Sequence, residues 1–113
     1  MVSRPAVAPW QVWWADLDPV VGREQAKVRP VVVVSSARHL TLTGGQLLTV
    51  LPVTSQNRGW PHHVPIVIGD KPSFAMTEQA RTISVQRLRN ITVPGLTQAE
   101  AARITTFLRA WIA

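Results

Sequence analysis

Four consecutive valines, in "RPVVVVSS" (29–36), constrain this chain more than any other feature. The run is too short for a helix and too apolar for an exposed strand, so it predicts a buried strand that the rest of the chain must cover. Glu24, Lys27 and Arg29 stand just ahead of it, with Pro30 at its entrance. An ordinary turn into a core strand has no use for those charges. With 113 residues the chain can form one core but not two, so a single domain over 1–113 is expected.

Further strand signals follow at short intervals. "QVWWADL" (11–17) is rich in β-formers and lies between Pro9 and Pro19. "QLLTVLPVTS" (46–55) follows Gly44-Gly45, and "HVPIVI" (63–68), "SFAMT" (73–77) and "ARTISV" (80–85) come after it, with turn signals such as "GDKP" between. Pro52 and Pro65 point to bulges or edge positions. Trp13 and Trp14 are neighbours on one strand and must face opposite ways, one into the core and the other toward a dimer interface. A short helical turn is expected from Ser84 to about Asn90, with Ser84 as its N-cap. At the C-terminal end Thr97 and Glu100 have capping-box spacing, and Ala101, Ile104, Leu108 and Trp111 recur at helical spacing with Phe107 and Ile112 beside them. Arg103 and Arg109 fall off that stripe, and Trp111 is expected in the core. The expected architecture is mainly β, barrel-like, with a C-terminal α-helix.

Composition narrows the function. Twelve Lys and Arg face six acids, ten of the twelve are Arg, and the net charge of +6 favours a polyanion such as nucleic acid. No apolar run is long enough to span a membrane, no signal peptide is evident, and cysteine is absent, which fits a cytoplasmic protein. The histidines are His39, His62 and His63. Sequence neighbours do not share a strand face, and no carboxylate is spaced to complete a ligand set, so no metal site or cofactor is expected. Nucleophile-elbow and phosphate-loop patterns are missing.

Four segments place hydrogen-bonding side chains at strand ends: "GREQAKVRP" (22–30), "LPVTSQNRGWP" (51–61), "TEQARTI" (77–83) and "VQRLRN" (85–90). Together they carry Glu24, Arg29, Thr54, Glu78 and Arg81. On these segments the chain resembles the MazF/PemK family of toxin endoribonucleases. "VWWADLDPVVGREQAKVRPVVVVSS" is similar to that family's first two strands and the loop between them. "LPVTSQNRGWP" and "EQARTISVQRL" continue the match, which covers residues 10–90. The resemblance implies an SH3-like barrel, shared with the CcdB proteins, and a homodimer. It further implies a metal-free attack of the ribose 2′-OH on the adjacent phosphate of single-stranded RNA, mRNA above all. The products would be a 2′,3′-cyclic phosphate and a 5′-OH.

That resemblance assigns roles by position. Arg29 matches the family's catalytic arginine, and Pro30 keeps it extended, so that its fork can hold phosphoryl oxygens. Thr54 matches a phosphate-contacting threonine, with Ser55 as a reserve donor. Glu24 is the first candidate for proton acceptor and Glu78 the second. Met76 stands where the Kid-like branch carries a functional arginine, and Ser84 where the family has an aspartate. RNA-binding roles fall to Gln25, Lys27, Ser55, Asn57, Glu78, Gln79 and Arg81, with Trp60 added if its match reflects more than packing. The 22–30 loop would act as a lid, and an antitoxin with an acidic, flexible C-terminal segment would occupy the basic groove. Two other readings are a CcdB-like gyrase inhibitor that acts without catalysis and an RNA-binding barrel that does not cleave.

Overall fold

In the computed structural model residues 6–17 and 28–112 are described. Glu24, Gln25 and Lys27 lie outside them. Seven strands and two helices run in the order β1 (Val12–Asp16), β2 (Val28–Val33), α1 (Ala37–Leu42), β3 (Leu47–Thr54), β4 (His63–Ile68), β5 (Lys71–Met76), β6 (Arg81–Ser84), β7 (Leu88–Val93) and α2 (Gln98–Ile112). All pairings are antiparallel, in the spatial order β4-β5-β3-β2-β1-β7, and β6 also pairs with β3.

The valine run is explained by burial on both faces. Val31 and Val33 point into one cluster with Trp13, Ala15, Leu48, Val50 and Ile83. Val32 points the other way, into a cluster with Val12, Leu51, Val64, Ile66 and Ile104. A strand covered on both sides has no solvent face to keep polar, so its sequence does not alternate.

Strand β3 is the hub. It pairs with β2 through Val50–Pro52, with β6 through Leu47–Val50, and with β5 through Val53 and Thr54. Pro52 sits where that edge changes partner from β6 to β5, a place where a missing N–H does least harm. Pro65 lies on the outermost strand, β4, and is exposed, as expected for an edge proline. Gly69, at φ +65°, closes the β4–β5 hairpin. No pairing joins β4 to β7 among the described residues, and the structure shows a mainly antiparallel sheet with a C-terminal helix.

Helix α2 starts with the reciprocal capping box: Glu100 N–H donates to Thr97 Oγ1 at 3.1 Å, and Thr97 N–H donates to Glu100 Oε1 at 2.8 Å. Ile104 is fully buried, and Phe107 and Leu108 pack beside it. The expectation for Trp111 fails, because this residue is 51% exposed. Trp111 lies in the last turn of α2, where its Nε1 donates to Thr77 Oγ1 at 3.1 Å. Ser84 does cap a turn, accepting from Gln86 N–H, but the turn covers only Val85–Arg87 before β7 begins.

Candidate functional site

Two clefts meet at Arg29 and Thr54. The first has a volume of about 320 Å³ and is lined by Trp14, Pro30, Val53, Ser55, Ile68 and Lys71, among others. The second, about 390 Å³, is lined by Leu17, Gln56, Arg58, Met76, Gln79 and Arg81, among others. Only Arg29 and Thr54 line both. Trp14, Pro30 and Val53 fall on the face of Val12 and Val32, whereas Leu17 and Pro52 fall on the opposite face, by strand alternation. The clefts adjoin where β2 begins and β3 ends, with Arg29 and Thr54 at the rim they share.

Backbone pairing sets this rim. Arg29 lies opposite Ala15 on β1, and Pro30 opposite Trp14. Thr54 is the last residue of β3, paired with Phe74 of β5. Thr54 Oγ1 accepts from Gln56 N–H at 3.1 Å, which fixes the side chain and leaves its hydroxyl proton available to a ligand. Trp13 is buried, its Nε1 donating to Gln11 Oε1, while Trp14 walls the first cleft. The expected opposition of the two tryptophans holds, and the outward one faces a cleft.

The other site residues divide. Ser55 lines the first cleft, and Gln79 and Arg81 the second. Asn57 lines neither; its Oδ1 accepts from Gly59 N–H at 2.9 Å and shapes the loop. Gln56, Arg58 and Lys71 line the clefts without having been singled out from sequence. Arg58 lay inside a flagged segment as a surplus cation on a polar loop, a signal that was available. No carboxylate or imidazole lines either cleft among the described residues.

Glu78 lies elsewhere. Its carboxylate meets His63 Nε2 at 3.0 Å and His62 Nε2 at 3.8 Å, and accepts from Gln79 Nε2 at 3.3 Å. Burial pushes the Glu78 carboxyl up. Hydrogen bonds from His63, its own backbone N–H and Gln79, with the His63 charge, outweigh this and hold it below its ordinary value. This corrects the expectation that no carboxylate joins the two histidines. His62 belongs to the turn before β4, so strand alternation does not separate it from His63. Trp60 stacks on His62 at 5.5 Å and lies 5.3 Å from the Arg58 guanidinium, and 46% of it stays exposed.

The model of PemK-like, MazF-like toxins of type II toxin–antitoxin systems matches residues 8–112. The chain belongs to that family. The endoribonuclease toxin MazF of Escherichia coli (strain K12) is 32% identical over 104 residues, covering 92% of this chain and 91% of the relative. Endoribonuclease EndoA of Bacillus subtilis (strain 168) is 36% identical over 81 residues, covering 68% and 70%. Among solved structures, the MazE–MazF crystal structure (Form-II) from Deinococcus radiodurans contains a chain that matches with a TM-score of 0.79 at 22% identity, covering 96% of this chain and 97% of that one. MazF alone from the same organism gives 0.76, also at 22% identity, covering 96% and 98%. These neighbours share the PemK/MazF fold.

Proposed function

We propose that this chain is the toxin of a toxin–antitoxin pair, a sequence-specific endoribonuclease that cleaves single-stranded RNA, mRNA above all, without a metal. It works as a single PemK/MazF-like domain that closes into an SH3-like barrel, pairs as a homodimer and acts in the cytoplasm. The observation that carries the reading is the shared rim: Arg29 and Thr54 are the two residues common to both clefts. A phosphate seated there takes the Arg29 fork on two non-bridging oxygens and the Thr54 hydroxyl on one of them, which stabilises the charge that builds as the ribose 2′-OH attacks. Flanking nucleotides then run into the cleft on either side, with Trp14 as a stacking wall on one and Gln79 and Arg81 on the other.

The proton acceptor has to come from outside the described lining, and Glu24 of the 22–30 loop is the residue proposed. Gln25 and Lys27 of that loop join Ser55, Gln79 and Arg81 on the RNA. Glu78 and Asn57 serve the site indirectly, through the His63 contact and the loop turn. Relatives with MazE in their structures suggest an antitoxin for this chain, whose acidic tail would lie along the Arg58–Arg81 cleft as a mimic of RNA phosphates.

Purified protein incubated with long single-stranded RNA in excess EDTA tests this. Discrete fragments with 2′,3′-cyclic phosphate ends are expected, and Arg29→Ala should slow their formation by at least about 10²-fold. Cleavage unaffected by Arg29→Ala, or abolished by EDTA, would overturn the mechanism. Tight RNA binding without cleavage would leave a binding module.

A further inference from the structure

His62, His63 and Glu78 each offer one ligand atom within 4.8 Å of the other two. We infer that this trio is a three-ligand site for a divalent transition ion of the zinc class, separate from the Arg29–Thr54 rim. Around a tetrahedral ion with bonds near 2.0–2.2 Å, ligand atoms lie roughly 3.3–3.5 Å apart. Glu78 Oε2 stands 3.0 Å from His63 Nε2 and Glu78 Oε1 3.8 Å from His62 Nε2, so one oxygen already has a suitable distance to His63 while the His62 side has to draw in. A small rotation of the His62 ring, whose side chain is 26% exposed, closes the set.

The surroundings hold these rings in place. His62 stacks on Trp60 and meets Trp111 edge-on at 5.6 Å, and the two histidine rings meet edge to face at 5.0 Å. Thr77 Oγ1 donates to the His62 carbonyl at 2.7 Å and accepts from Trp111 Nε1, which fixes the backbone carrying His62 to the turn carrying Glu78. His63 is only 4% exposed, yet its Nδ1 has no hydrogen-bond partner. Its Nε2 bonds Glu78 at 3.0 Å, so the ring is kept for that polar contact despite the desolvated Nδ1, a cost that an apolar side chain would not carry. The ring is oriented entirely through Nε2, the atom aimed at Glu78.

Two imidazoles and a carboxylate suit Zn²⁺ or its first-row neighbours, whereas Mg²⁺ and Ca²⁺ prefer oxygen alone. Three protein ligands leave a position for water on the side where His62 and Glu78 are part-exposed. The ion would join the turn before β4 to the Thr77–Gln79 turn, which Trp111 ties to α2. Gln79, which lines the polar cleft, would lose its bond to the carboxylate or share it with the ion.

The test uses the full chain, stripped with EDTA, dialysed, and titrated with ZnCl₂ by calorimetry and with CoCl₂ by visible absorption and tryptophan fluorescence. One ion per chain is expected, with cobalt quenching Trp60 and Trp111. His62→Ala and Glu78→Gln should each weaken binding by at least about tenfold while circular dichroism stays native, and His39→Ala should leave it unchanged. His62 is chosen over the buried His63 because its loss leaves no hole in the core. Absence of saturable binding at micromolar ion would overturn the site. So would binding untouched by both variants, or a stoichiometry of one ion per two chains. The readouts do not involve RNA, so the site and the ribonuclease reading fail independently.

Discussion

At the residue scale, the Thr54 hydroxyl makes two separable contributions. Its oxygen accepts from Gln56 N–H, and its proton can be donated to a phosphate at the rim shared by the clefts. Thr54→Ser keeps both and should retain most RNA cleavage. Thr54→Val keeps the shape but loses both, and single-turnover rates should fall by about 10–100-fold with little change in RNA affinity. An equal fall in affinity would mean that Thr54 serves binding and not the transition state. Arg29 and Thr54 stood out through their match to the PemK/MazF pattern, since a polar residue at a strand end is by itself no more than a terminator. The His62–His63–Glu78 group was not legible. Its members converge only because His63 pairs with Met76 across the β4–β5 hairpin, so that the next turn carries Glu78 back over the histidines. Spacing along the chain contains no trace of that register.

At the scale of elements, local chemistry announced some pieces and left others silent. The Thr97–Glu100 box was readable because both partners lie within one helical turn. Helix α1 was not, since it has six residues and a single buried one, Leu40, and so displays no period. Its cap, the Ser36 hydroxyl accepting from His39 N–H, resembles any polar loop in sequence. Strand β7 was hidden by its exposed Arg89 and Asn90; it is recruited by β1 through two register shifts, with Arg89 on Asp16 at its edge. Glu100 also does something no helix rule foretells: Oε2 accepts from Val67 N–H on the outer strand β4 at 3.1 Å. One carboxylate therefore caps α2 and anchors it to the sheet edge. Glu100→Ala should lower unfolding free energy by about 1–2 kcal/mol, while Thr97→Ala should cost about 1 kcal/mol. In urea denaturation the double variant should fall short of the sum, because the two share one box. Full additivity would show that the two bonds act independently.

At the scale of the molecule, the net charge of +6 is not spread evenly. Arg29, Arg58, Lys71 and Arg81 line the two clefts, and no acid among the described residues stands with them. Arg103 and Arg109 lie on the exposed side of α2, away from both. If RNA follows the clefts across the rim, those four cations displace its counterions. The logarithm of affinity should then fall against the logarithm of salt with a slope of about −3, at roughly 0.7 per phosphate contact on a single strand. Arg81→Ala should bring the slope toward zero by about 0.7, and Arg103→Ala should leave it unchanged. Using the cleavage-dead Arg29→Ala protein as parent would spend one of the four contacts, so a non-cleavable 2′-deoxy substrate on the unaltered chain is the better probe. An acidic peptide of antitoxin type that occupies the Arg58–Arg81 cleft should compete with that strand and lose affinity with the same Arg81→Ala change. A slope that responds to Arg103 and ignores Arg81 would move the nucleic acid onto the helix side, away from the Arg29–Thr54 rim, and the cleavage geometry would have to be abandoned with it.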